Sequence, residues 1–439
     1  MVRRCCVVLL AGLLVAIAIA KRRWETSEQV LARKRRSAAG HPDVEWRVPV
    51  GCGFSGFFSE VALGFLPALH RLEPGRFKLL SGQCSETFLS TYLTVQEAEA
   101  YRAMWTHEQS RPVRLTRKSI VIEHGEACGA RRFGPVARRR PRRVISRAMS
   151  EGDLQPQAVA CLREVDEVWV PTQWHVEAFV RAGVPRSALH AIPEPVDTAL
   201  FRPDATHRTR VAGAPFVFLS SFKWEHRKGW DLLLSAYWRT FGDGAHGGGP
   251  WPVMLRLKTY LPSWEPGPRD LNEWIESHAR ATFKKGRSAL PPVELLTSDV
   301  SRTGLRDMYA AADAFVLPTR GEGWGLPIAE GMAMGLPVIA TNWTGPTAFL
   351  TPGNSFALAV ARHLSGGQAE PSIDAIGAQM RAVFSDRKEA ARRGKQARED
   401  MVSRFSPERV AQLVLARLSA IEDGLVEADT STSPAELAS

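Results

Sequence analysis

No Cys-x-x-Cys pair occurs anywhere in the 439 residues, so the usual spacing of a zinc site is missing. The six cysteines are scattered. Cys5 and Cys6 lie in an apolar N-terminal run, a setting open to lipidation, and Cys52, Cys84, Cys128 and Cys161 stand far apart. Free thiols are the expected state, with disulfides open if the folded part faces an oxidising compartment. No paired-aspartate motif closes a strand, so no metal is expected. No internal repeat is found. A global basic surface is also lacking, despite a formal charge of +11. Residues 1–36 carry nine Lys/Arg and two Glu, and residues 130–143 carry seven Arg and no acid, so each contributes +7 and the remaining chain is near −3. Neither basic segment interleaves aromatics as a single-strand binder would, and nucleic acid is not expected as a partner. The 130–143 run reads as a solvated loop, with contact to an anionic acceptor or lipid headgroup as the alternative.

Long apolar runs are scarce too. Residues 5–20 form one of sixteen apolar or small residues behind Arg3 and Arg4. That is signal-peptide or short signal-anchor length, and Ala18-Ile19-Ala20 offers a cleavage pattern. The expected location is membrane-associated, in the secretory pathway (ER or Golgi). Orientation stays open: seven basic residues follow the run and two precede it, which by the positive-inside rule favours a cytosolic C-terminal part.

What is present is enough apolar residue, 44%, to fill two or three domain cores. Residues 1–22 read as the targeting segment and 23–44 as a basic linker. Residues 45–200 read as a first α/β domain, with strands in WRVPV, RFKLL, SIVIEH, DEVWV and ALHAI separated by helical patterns. Residues 201–215 read as a linker. Residues 216–400 read as a second α/β domain, with strands in FVFLSSF, WPVMLRLKTY, PPVELL, ADAFVLP and LPVIAT. Residues 401–423 read as a closing amphipathic helix and 424–439 as a disordered tail. Strand–turn–helix alternation predicts parallel sheets with crossover helices.

Within the second domain, GEGWGLPIAEGMAMGLPVIAT (321–341) joins a strand to a helix through Gly321, Gly323 and Gly325, with Pro327 in the first helical turn. Free N–H groups at such a helix start favour a phosphate. Glu322 and Glu330 would repel one, so their carboxylates are assigned to neutral hydroxyls. A ligand with phosphates flanked by two polyols is a nucleotide sugar. Lys223, Arg227 and Lys228, between a strand and a helix, can neutralise a departing diphosphate. In the first domain Gly51-x-Gly53-x-x-Gly56 has the dinucleotide spacing, but the acid expected some twenty residues on is replaced by Ser81-Gly82-Gln83, which argues against NAD. His124 ends a strand on the presumed cleft side.

GEGWGLPIAEGMA with PVIAT resembles the signature of retaining group 1 glycosyltransferases, a likeness that extends over SFKWEHRKGWDLLLSAY, LRLKTY, VDEVWVPTQWHVEAFVRAGV and IPEPVDTALFRP, roughly residues 46–420. The resemblance implies the GT-B fold, two facing Rossmann-like doubly wound domains with a cleft between them. It implies that Glu322 contacts the transferred sugar, that Glu330 binds the ribose hydroxyls and that Lys223 and Lys228 hold the diphosphate. The backbone amides of Gly323, Trp324, Gly325 and Leu326 would face phosphate and sugar. His124 would lie near acceptor and sugar, and the Gly53–Gly56 loop would approach the diphosphate. Catalysis is assigned to Glu322, His124 and Lys228. The expected reaction is metal-independent hexose transfer, with retention, from a UDP- or GDP-sugar to a hydroxyl of a sugar, lipid or protein acceptor. Two positions depart from the family pattern. Met149-Ser150-Glu151-Gly152-Asp153 stands for Met-Phe-Glu-Thr-Asp, and Ala348 stands where a glutamate is expected. The stretch after TPGNSFAL also reads as shortened. A catalytically silent nucleotide-sugar-binding module of the same fold is the alternative.

Overall fold

The computed structural model describes residues 44–48, 56, 59–107, 119–125, 127–129, 141–203, 213–242 and 251–423. The targeting segment, basic linker, C-terminal tail, Gly51, Gly53 and most of the 130–143 arginine run lie outside these. Among the described residues, no helix is long and apolar enough to cross a membrane.

The first sheet has seven strands: β1 (Val44–Arg47), β2 (Phe77–Ser81), β3 (Trp105–His107), β4 (Ile120–His124), β5 (Arg143–Arg147), β6 (Glu167–Val170) and β7 (Leu189–Ala191). The second has six: β8 (Phe216–Lys223), β9 (Val253–Tyr260), β10 (Val293–Leu296), β11 (Ala314–Leu317), β12 (Val338–Thr341) and β13 (Phe356–Leu358). The spatial orders are β3-β2-β1-β4-β5-β6-β7 and β10-β9-β8-β11-β12-β13. Every pair in both sheets is parallel. Both orders reverse direction after their first strand, at β1/β4 and β8/β11. These are the switch points of doubly wound sheets, where the carboxyl ends of the strands leave a crevice. The chain is thus an α/β protein with two such domains, the GT-B architecture the motifs imply.

Burial explains the runs that form the central strands. All residues of β4, β11 and β12 are buried, as expected for strands covered by helices on both faces. β9, next to the edge strand β10, instead alternates buried and half-exposed residues. Three further strands, β3, β5 and β13, have weak signals. β5 reads RVISR, its two apolar residues hidden between arginines.

The two cores interlock through the chain's end. Val196 and Phe201 already pack in the second core. The last helix, Pro407–Glu422, follows a break at Ser406. It returns Val410, Val414, Leu418 and Ile421 to the first core, against Leu66, Leu69 and Trp46. A small antiparallel hairpin, β14 (Arg362–His363) and β15 (Ala369–Glu370), projects from the second domain just after β13.

The expectation of free thiols is overturned. Cys128 and Cys161 form a disulfide, Cα–Cα 5.0 Å, that ties the turn after β4 to the helix Pro156–Leu162, and Cys84 is disulfide-bonded as well. Scattered spacing hid the first pair because parallel β4 and β5 bring together segments 33 residues apart.

Candidate active site between the domains

The turn after β11 is pinned from three sides. Gly325 takes φ +95° as the cap of the helix Leu326–Ala333, a conformation that favours glycine. Thr344 has φ +57°, uncommon for a β-branched residue. Its hydroxyl accepts from the Glu322 amide (2.9 Å), while the Gly345 amide donates to the Glu322 carbonyl (3.0 Å). A Cβ on Gly345 would stand 2.5 Å from the Gly323 carbonyl oxygen, so the two loops touch backbone to backbone. Among the described residues, no partner takes the backbone N–H of Gly323, Trp324, Gly325 or Leu326. The Trp324 side chain turns away from the cleft, onto Phe349 and Phe405 in the core, so only its backbone remains at the turn.

Glu322 is buried and accepts from Lys228 Nζ with both oxygens, 2.7 and 2.8 Å, with Arg227 at 3.7 Å. Burial pushes its carboxyl up, but Lys228 and Arg227 more than offset this, and it lies below the usual carboxylate range. Arg227 also donates to the Gly321 carbonyl and pairs with Glu225 (3.0 Å) and, across the cleft, Glu151 (2.8 Å). Both cations are therefore neutralised by neighbouring carboxylates. Lys223, at the end of β8, lies apart from them: its ammonium stands 5.7 Å from the exposed Trp264 ring, whose indole N–H donates to Glu225.

Eight residues on, Glu330 accepts from Tyr309 (2.9 Å). Burial raises its pKa to about 7, against the lowering effects of Tyr309 and Arg302. Its helix lines a cavity of about 240 Å³ between the domains. Leu326, Pro327, Lys258–Tyr260 and Asp299–Arg302 face Gly56, Glu60, Gly64 and Pro195 across it.

On the first domain's side the site differs from expectation. His124 is fully buried. Its Nδ1 receives the Trp46 indole N–H (3.4 Å) and its Nε2 meets Glu60 Oε2 (3.0 Å). Burial, with Arg147 adding to it and Glu194 opposing, lowers its pKa to about 3. The ring is neutral and both nitrogens meet described partners, and Glu60 rather than His124 lines the cavity. Glu60 and Glu194 are each raised to about 7, chiefly by burial. Arg147 pairs with Glu194, and its charge opposes the upward shift of both carboxyls. Glu60, His124 and Glu194 place ligand-type atoms within 4.8 Å of one another, and the Arg147 guanidinium supplies the positive charge of that cluster. Sequence reasoning missed Glu60, Arg147, Glu194 and Tyr309. The one available signal was Glu60 as a lone acid in the apolar run FFSEVALGF.

Both departures from the family pattern have structural accounts. A Cβ on Gly152 would meet the Gly366 carbonyl oxygen at 2.1 Å, and the Asp153 amide donates to that same oxygen (2.8 Å). The β14–β15 hairpin thus occupies the space a threonine would need. The Ala348 side chain packs on the second core, and its carbonyl accepts from Arg404 (2.9 Å).

Comparison with known proteins agrees with this geometry. Residues 272–370 match the family model described as Glycosyl transferases group 1. The chain is 30% identical over 216 residues to a D-inositol 3-phosphate glycosyltransferase of Xylanimonas cellulosilytica, covering 45% of this chain and 47% of that protein. It is 25% identical over 260 residues to the lipopolysaccharide core biosynthesis mannosyltransferase LpsB of Rhizobium meliloti, covering 57% and 65%. The matches thus span about half to two thirds of the relatives' lengths. Among solved structures, Anabaena Alr3699/HepE in complex with UDP and glucose superposes with TM-score 0.65 at 15% identity, over 87% of this chain and all of that one. Sucrose-phosphate synthase from Thermosynechococcus elongatus superposes with TM-score 0.61 at 16% identity, over 88% and 100%. The chain therefore has the two-domain GT-B fold of these structures, and residues 272–370 of its second domain are similar to the group 1 glycosyl transferases.

Proposed function

We propose that this protein is a retaining glycosyltransferase that moves a hexose from a UDP- or GDP-sugar to an acceptor hydroxyl without a metal. The carrying observation is the Glu322–Lys228–Arg227 group beside the open amides of 323–326, with Glu330 eight residues on, where the helix that starts at Leu326 lines the cavity between the domains. Arg227, Lys228 and the helix-start amides hold the diphosphate as it leaves, with Lys223 reaching it once released from Trp264. Glu330 accepts from the ribose hydroxyls and Glu322 from the transferred sugar. The acceptor hydroxyl attacks the anomeric carbon on the face the diphosphate leaves. The glycosidic C–O bond forms as the sugar–phosphate bond breaks, and a leaving phosphate oxygen takes the proton. Structures bound to UDP, UDP-glucose or UDP and glucose on this fold support a nucleotide-sugar donor.

The disulfides at Cys128–Cys161 and Cys84 support an oxidising compartment for the folded part. We accordingly place it on the lumenal side of a secretory membrane, tethered through residues 5–20. That choice sets the disulfides above the basic flank.

The test measures nucleoside diphosphate release from a panel of UDP- and GDP-sugars in EDTA, using protein lacking residues 1–40, with and without Glu322→Gln. Release from one donor, lost in the variant, supports the reading and names the donor. Loss of release on adding EDTA overturns the metal-free mechanism. Because Ala348 serves the core rather than the cleft, a silent binding module is the second reading, and tight donor binding without release selects it.

A further inference from the structure

The His124 ring fixes its own tautomer. An indole N–H can only donate, so His124 Nδ1, which receives it from Trp46, carries no proton. The proton is on Nε2 and is donated to Glu60 Oε2 at 3.0 Å. One oxygen of Glu60 is thereby anchored. The other, Oε1, takes no hydrogen bond from any described residue, and Glu60 lines the cavity opposite Leu326, Pro327 and Glu330. Oε1 would stand 3.2 Å from a Cβ at Gly56, so glycine there keeps the approach open. Among the described residues no lysine or arginine forms an ion pair with Glu60: the Arg147 guanidinium pairs with Glu194, and only its charge reaches Glu60. Burying a carboxyl without an ion pair is costly, and packing alone offers no reason to keep it. It offers a phosphate no positive charge, and Arg147 behind it disfavours a cation. A carboxyl with one oxygen fixed and the other facing a closed cleft is arranged to accept from a neutral hydroxyl.

We propose that Glu60 is a substrate-contacting residue of the first domain, binding a sugar hydroxyl in the cleft through Oε1, with Trp46 and His124 as the residues that position it. This rests on the nucleotide-sugar reading above. The hydroxyl is either one of the transferred sugar's or the attacking hydroxyl of the acceptor.

The experiment compares wild type with Glu60→Ala by calorimetric titration of UDP and UDP-glucose (GDP and GDP-mannose where the wild type prefers them), and by donor hydrolysis with water as surrogate acceptor. If the hydroxyl is the donor's, Glu60→Ala loses about 10- to 100-fold in UDP-glucose affinity and nothing in UDP affinity. If it is the acceptor's, both bind as in wild type and hydrolysis kcat falls by a similar factor. His124→Gln, whose amide donates at the same reach, retains activity, whereas His124→Leu follows Glu60→Ala. Glu60→Ala with wild-type binding and wild-type hydrolysis overturns the proposal. A wild type that binds no nucleotide sugar overturns the functional reading instead.

Discussion

Replacing Gly321 by alanine tests whether the reactive state is the closed one. The carbonyl oxygen of Glu151, in the first domain, lies 2.1 Å from where a Cβ on Gly321 would be, whereas ordinary contact begins at 3.4 Å. The obstacle is backbone on both sides, so no side chain can yield. The two domains must part by about 1.3 Å at this point. Gly321 has no positive φ, so alanine itself is unstrained and each domain folds as before, with a gain of about 0.4–1 kcal/mol from the stiffer unfolded chain. A misplacement near 1 Å costs about 100-fold in rate, or ~2.7 kcal/mol. We therefore expect kcat/KM for diphosphate release to fall about 100-fold, with an unfolding midpoint no lower than that of wild type. Gly323→Ala supplies the contrast. Its Cβ would meet the Met149 sulfur at 2.4 Å, and a methionine can swing aside, so the loss there is about tenfold or less. Equal activity of Gly321→Ala and wild type would refute the reasoning, as would equal damage from both substitutions.

Further outcomes follow from the charges and cross-links. Glu322→Gln frees Lys228 and Arg227 from a competing carboxylate, so UDP alone binds more tightly while turnover is lost; weaker UDP binding by calorimetry would contradict this. Glu60, near 7 in the folded state against 4.5 ordinarily, holds its full contribution below pH 4.5 and loses stability as the pH rises through 7. The advantage of Glu60→Gln in urea unfolding should therefore grow between pH 5 and pH 8, and a constant difference would rule the account out. Cys128→Ser with Cys161→Ser opens a link across 33 residues and should lower stability by about 3–4 kcal/mol on the loop-entropy model, read as a reduced urea midpoint.

Much of this fold was legible because buried parallel strands are written as short apolar runs. DEVWV, FVFLSSF, ADAFVLP and LPVIAT each name their strand. β5 escaped because its two apolar residues sit among arginines, one of which, Arg147, is itself buried by pairing with Glu194. The donor side of the site is local in sequence, within residues 223–228 and 321–330, so glycine spacing and charge revealed it. The first domain's side is assembled from β1, β4, β5, the π-helical segment Ser59–Phe65 and the segment after β7, and no spacing announces such a cluster. His124 was visible as a strand-end histidine. That it faces Trp46 and Glu60 rather than the cleft depends on packing that periodicity does not encode. Tyr309, Glu330's partner, lies 21 residues away on another helix.

The helix Pro407–Glu422 sets an order of events in biosynthesis. The first domain leaves the ribosome with its core uncovered where Val410, Val414, Leu418 and Ile421 belong. At ~5–20 residues per second, the chain from residue 203 to 407 takes ~10–40 s to follow. During that interval an apolar surface beside Trp46 and Leu66 is exposed. The nascent first domain is then the species a chaperone would meet, and a chain stopped before residue 407 would leave it permanently unfinished.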